Sequence, residues 1–107
     1  MRTEHDMDIA DWRKKIDEID RRLVELLNER ARCAAEIGRI KRQNDLPIHE
    51  PHREQEVLRH VLEANQGPLA NEAIQRVFER IVEEGRTLQQ RLIAAQEAEE
   101  SNKGSDK

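Results

Sequence analysis

Residues 8–43, DIADWRKKIDEIDRRLVELLNERARCAAEIGRIKRQ, contain no proline and one glycine, and the rest of the chain is organised around them. Ile9, Trp12, Ile16, Ile19, Leu23 and Leu26 recur at three-and-four spacing, and Cys33, Ala34, Ile37 and Ile40 resume it. That period puts one apolar stripe on a long helix with charged flanks. Such a helix is roughly 50 Å long, so a chain this small cannot cover the stripe alone and a partner is expected. Arg30 interrupts the stripe, seven residues after Leu23 and seven before Ile37, while Arg13 and Lys41 sit on its shoulder. A cation in an apolar seam is costly unless an anion meets it. Arg30 either reaches outward to solvent or a glutamate, or faces a bound anion; we read the anion as a substrate.

The totals agree with a helical bundle. At 107 residues the chain is expected to be one small domain. Charged residues make up 39% and aromatic residues 2%, a balance that suits disorder only when the apolar residues are scattered. Here they are periodic. The core they offer is thin, and oligomerisation would add burial. A net charge of −4 with interleaved signs, and Trp12 and Phe78 as the only aromatics, argue against a nucleic-acid surface. The single cysteine, Cys33, cannot form an internal disulfide and is expected to pack. No apolar run approaches membrane-spanning length, and MRTEHDMD lacks the apolar centre of a signal peptide, so a cytoplasmic protein is expected.

Along the chain, residues 1–7 read as a flexible lead-in, with Asp8 as an N-cap and Asp11 in the first turn. Asn44, Asp45 and Pro47 end the first helix near Gln43. Pro51 opens a second, short helix to about Ala64, with Val57, Leu58, Val61 and Leu62 on its apolar face. Asn65, Gln66, Gly67 and Pro68 make the strongest break. A third helix runs from about Asn71 to about Ala98, with a stripe of Ile74, Val77, Phe78, Ile81, Val82, Leu88, Leu92 and Ile93. Residues 99–107 are polar and read as a disordered tail. The expected fold class is all-α, long, short, long, with the functional domain at residues 8–98.

No familiar catalytic motif is present: there is no phosphate loop, nucleophile elbow or HExxH. His5, His49, His52 and His60 have no metal-ligand spacing and read as surface residues. What remains is a set of polar groups turned toward the stripes. Gly38, in a helix interior, costs about 1 kcal/mol relative to alanine; close approach of a backbone or ligand is one explanation, and a plain unoptimised position is the other. Gly85 raises the same question, and Gln89 lies one turn beyond it. Two arginines suit carboxylates, a lysine and a neutral amide suit an oxygen gaining negative charge, and an acid suits a hydroxyl. With no committed nucleophile, the natural reaction is a rearrangement promoted by holding and polarising the substrate.

The ordered set WRKKIDEID, LLNERARCAAEIGRIK, PIHEPHREQEVL and a last helix reaching LQQ resembles the all-helical (AroQ-type) chorismate mutases over residues 8–93. Trp12 stands where that family usually has leucine. The resemblance implies an intertwined homodimer in which the two first helices pair. It implies substrate-binding roles for Arg13 (reaching into the partner's site), Arg30, Lys41, Glu50, Arg53, Glu54 and Gln89, with Arg30, Lys41, Glu54 and Gln89 catalytic and no cofactor or metal. Gly85 departs from relatives that carry a serine there, and the loss of one hydrogen bond, on the order of 1 kcal/mol, implies weaker substrate binding. The neighbouring Arg86 or a water is a candidate substitute. The implied reaction is chorismate to prephenate, on the route to phenylalanine and tyrosine, with docking to another shikimate-pathway enzyme left open. Two rivals stay open at this point: an isochorismate pyruvate lyase of the same fold, and a non-catalytic helical dimerisation module.

Overall fold

The computed structural model describes residues 6–105 as three helices, α1 (Ile9–Gln43), α2 (Pro51–Ala64) and α3 (Asn71–Ser105). The order long, short, long is the expected one, and the described residues contain no strand. No helix is long and apolar enough to cross a membrane among the residues described. The expected lead-in falls partly on residues 1–5, and the last two residues of the expected tail are 106–107; both lie outside the described residues.

The chain divides into two units, Met1–Arg30 and Ala31–Lys107. The first begins with a reciprocal cap: Asp11 N–H donates to Asp8 Oδ1 at 2.9 Å, and Asp8 N–H to Asp11 Oδ2 at 3.1 Å. This is capping-box geometry with aspartate in the third helical position. Ile9, Trp12, Ile16, Ile19, Leu23 and Leu26 are 46 to 69% exposed. The stripe seen in the sequence is therefore an uncovered apolar surface on this unit. Lys15 Nζ lies 5.6 Å from the Trp12 ring centroid, within cation–π range.

In the second unit, α1 ends in a Schellman cap. Leu46 N–H donates to Lys41 O at 2.8 Å and Asp45 N–H to Arg42 O at 3.3 Å. Asp45 takes the left-handed backbone conformation (φ 52) that this cap needs, one that aspartate tolerates better than most residues. Pro51 is the first residue of α2, and Glu50 stands at its N-cap without making a side-chain cap bond. The α2–α3 turn is held by Asn65, whose Nδ2 donates to Leu69 O and Asn71 Oδ1, both at 2.8 Å.

The short helix packs on α3. Val57, Leu58, Val61 and Leu62 of α2 are half-buried, as are Ile74, Phe78, Ile81 and Val82 of α3. Three stripe expectations need correction. Val77 and Leu92 are 52 and 42% exposed, and Cys33 is exposed instead of packed. No apolar side chain among the described residues is fully buried.

The third helix also outruns its expected end near Ala98 and continues to Ser105. Ala94, Ala95, Gln96, Glu97, Ala98, Glu99 and Glu100 are strong helix formers. Arg42 Nη2 of α1 pairs with Glu100 Oε2 at 2.6 Å, and that bond holds the Glu100 carboxyl below its ordinary value. Over residues 99–103 the polar side chains that suggested disorder lie on the exposed surface of a helix.

Candidate functional site

The most buried side chains of the second unit are polar. Lys41 is 9% exposed and Gln89 8%, the reverse of the usual rule that apolar groups go inside. Buried polar groups need partners, and both have them.

Gln89 comes from α3 and lies on α1. Its Nε2 donates to the carbonyl oxygen of Ala34 at 2.7 Å, which fixes the amide with its nitrogen toward α1. Gly38, one turn further along α1, makes this approach possible. A Cβ there would lie 2.9 Å from Gln89 Cγ and 3.2 Å from Gln89 Cβ. Close approach, one of the two explanations open for Gly38, is the one the geometry supports. Gly38→Ala is expected to destabilise the protein by up to about 2 kcal/mol, since overpacking of about 1–3 kcal/mol exceeds the gain in helix propensity of about 1 kcal/mol. Denaturant unfolding checks this; a stabilised variant would show that Gln89 moves aside without cost.

Ala34, Gly38 and Lys41 follow one another at four- and three-residue spacing, so they share a face of α1. Lys41 Nζ donates to Ile48 O at 3.1 Å and is ion-paired with the Glu50 carboxylate. An ammonium has three donors, so a third is left for a ligand. Glu50 caps no backbone group because its carboxylate is turned to Lys41. The hydrogen bond from Lys41, reinforced by its charge, holds the Glu50 carboxyl below its ordinary value of 4.5. A depressed folded value means that the pair stabilises the fold above the ordinary carboxylate range and is lost as pH falls through the lowered one. Glu50→Gln should therefore be less stable than wild type near neutrality, with the gap closing below about pH 4.5. Unfolding midpoints across acid pH measure it, and a gap independent of pH would contradict it.

Glu54, one turn after Glu50 on α2, receives Arg86 from α3. Arg86 Nη1 donates to both carboxylate oxygens, at 2.8 and 2.7 Å. His49 Nε2 is 3.7 Å from Glu54 Oε1. Of the expected set, the structure joins Lys41 to Glu50, ties Glu54 to Arg86, and lays Gln89 on Ala34 and Gly38. Gly85 is half-buried one turn before Gln89. Arg53 is not drawn in: it is 58% exposed and paired with Glu56 on its own helix. In the first unit Arg30 is half-buried and Arg13 exposed. Arg86 is the residue whose link to Glu54 the sequence did not reveal, because 32 residues separate the two.

The cluster is charge-balanced, with Lys41 and Arg86 set against Glu50 and Glu54. A cleft of about 370 Å³ also opens beside Gly38 and Gln89, its walls including Glu36, Arg39, Leu92 and Glu99. Arg39 is already paired with Glu36 at 3.0 Å, which leaves Glu99 in excess, so this cleft does not attract an anion. Lys41, Glu54 and Arg86 do not line it.

Comparison with known proteins places the chain. Residues 12–90 match the family model described as chorismate mutase type II. The bifunctional chorismate mutase/prephenate dehydratase of Pseudomonas aeruginosa is 41% identical over 88 residues, a match covering 78% of this chain and 24% of that protein. The chain thus spans about a quarter of the length of such relatives. The chorismate mutase of Methanocaldococcus jannaschii is 31% identical over 96 residues, covering 89% of this chain and 95% of that one. Among solved structures, form II of the Thermus thermophilus chorismate mutase superposes with a TM-score of 0.76 at 36% identity, covering 78% of this chain and 94% of that one. With a family match over most of its length and a relative matched almost end to end, the chain belongs to the type II chorismate mutase family.

Proposed function

We propose that the chain is a cytoplasmic chorismate mutase, residues 8–98 being its functional domain, which converts chorismate to prephenate by a [3,3] rearrangement without a cofactor. The observation that carries the reading is the pair of buried polar side chains, Lys41 on α1 and Gln89 laid against the same face of α1 at Ala34 and Gly38. Both hold a hydrogen-bond donor beyond those committed to Ile48 O, Glu50 and Ala34 O. Donors fixed in place before the reaction stabilise an ether oxygen that gains negative charge as its bond to the ring carbon lengthens. Glu54 accepts from the ring hydroxyl.

A charge-neutral cluster cannot by itself hold a substrate with two carboxylates. Arg30 takes one carboxylate and the partner subunit's Arg13 the other, fixing the compact conformer in which the reacting carbons meet. Arg53 and Glu50 order the end of the site at the start of α2. The exposed stripe from Ile9 to Leu26 supports a homodimer with paired first helices, because an apolar surface of that extent marks an interaction site. Prephenate, the product, would pass to an enzyme of the next step, and docking to such an enzyme fits relatives that carry both activities in one name.

The test is product analysis after incubation with chorismate and, separately, with isochorismate. Prephenate from chorismate is expected. Pyruvate and salicylate from isochorismate, with no prephenate formed from chorismate, would assign the chain to the lyase reading; inertness toward both would leave a helical module.

A further inference from the structure

Arg86 is the cation of the cluster to which the expected substrate roles give no task beyond that of a candidate substitute for the serine absent at Gly85. It joins α3 to Glu54 of α2, and its side chain and that of Glu54 are 27 and 26% exposed. The ion pairs within single helices are of another kind: Arg39–Glu36 is 49 and 67% exposed, Arg59–Glu63 61 and 64%, and Arg80–Glu84 68 and 57%. Pairs as exposed as those contribute little. The Arg86 pair is different in geometry as well as burial. A single nitrogen, Nη1, lies 2.7 and 2.8 Å from the two carboxylate oxygens, which holds the carboxylate in place toward α3 and leaves outward lone pairs on both oxygens.

We infer that Arg86 is a positioning residue that orients the Glu54 carboxylate, through its two hydrogen bonds to it, to accept from the ring hydroxyl of the substrate. The inference rests on the mutase reading and adds to it a residue that does not touch the substrate. It has two physical grounds. An unpaired carboxylate rotates, and a side chain held by packing and hydrogen bonds keeps the geometry that binding needs. Glu54 also carries a negative charge toward a doubly negative substrate, and the guanidinium offsets it where the two meet. Three residues separate Arg86 from Gln89, so the two share a face of α3, and Gln89 is itself anchored on Ala34 O. One helix face thus sets both the acceptor for the hydroxyl and a donor for the ether oxygen.

The experiment compares Arg86→Ala, Arg86→Lys and wild type on chorismate and on an analogue whose ring hydroxyl is replaced by hydrogen. With chorismate, Arg86→Ala is expected to lose about 10- to 100-fold in kcat/KM, the loss of a hydrogen bond to a charged group, mostly through KM. Arg86→Lys keeps a donor and a charge and should recover part of it. With the analogue, the wild-type advantage over Arg86→Ala should shrink to less than about threefold. A loss of equal size on both substrates, or no loss on either, overturns the inference and leaves an interhelical tie. If Arg86→Ala does not fold, the same comparison between Arg86→Lys and wild type decides, with a hydroxyl-dependent deficit expected and an equal deficit contrary. Wild type inactive on chorismate would fell the mutase reading itself, a result distinct from the failure of Arg86 alone.

Discussion

Arg30→Ala is expected to lose nearly all mutase activity while the helices remain intact. The neutral sum of Lys41, Arg86, Glu50 and Glu54 sets the reason. A substrate with two carboxylates must find its counter-charges outside that cluster, and Arg30 is the half-buried cation placed in the apolar register of α1. Truncating one partner of a desolvated, hydrogen-bonded charge pair costs about 2–5 kcal/mol, which converts to a fall of about 30- to 5,000-fold in kcat/KM. Arg30→Lys keeps the charge but not the planar fork that meets a carboxylate with two parallel bonds, so it should recover only part of the loss. The decay of chorismate absorbance measures both variants, with circular dichroism confirming that each is helical. Arg30→Ala with wild-type activity would show that the arginine reaches solvent and that the seam cation only sets helix register.

Gln89→Glu carries the second large effect, and its signature is a change in pH dependence. At neutral pH a carboxylate at this position would face the Ala34 carbonyl oxygen, which now accepts from Gln89 Nε2 at 2.7 Å, and would sit in a position only 8% exposed. Burial and a facing acceptor both disfavour the charged form, so the acid's pKa is raised. The variant then has a donor only where the acid is protonated. Removing one preorganised donor from a developing oxyanion costs about 100- to 1,000-fold in rate, so the variant should be nearly inactive at neutral pH and recover as pH falls. The check is kcat as a function of pH for both proteins. A variant as active as wild type at neutral pH would mean that Gln89 does not donate to the reacting oxygen.

The fold was legible where local chemistry decides it. Asp8 and Asp11, Asp45 and Pro47, Pro51, and the Asn65–Pro68 break each mark a helix end by a stated physical preference, and the helices end there. The end of α3 was hidden because polar residues read alike in a tail and on the outside of a helix; the Arg42–Glu100 pair, 58 residues apart, is invisible to any local pattern. In the site, Gly38 could be read as a place of close approach, but not what approaches. Lys41 and Gln89 looked like shoulder and boundary residues by periodicity, and the family resemblance singled them out. Their burial came only with tertiary packing, Gln89 of α3 against Ala34 and Gly38 of α1 and Lys41 against Ile48 and Glu50. Arg86 beside Glu54 is a tertiary fact, produced by the α2–α3 packing. Conversely Arg53, assigned by resemblance, pairs with Glu56 on its own helix, because an exposed arginine takes the nearest acid.

A crystal structure of the protein with a bicyclic ether dicarboxylate, shaped like the rearranging substrate, tests whether inward cations and fixed donors make the site. The ether oxygen is expected about 3 Å from both Lys41 Nζ and Gln89 Nε2, with Arg30 on a carboxylate. A ligand lodged instead against Glu36 and Glu99, with Arg30 and Lys41 directed into solvent, would contradict it.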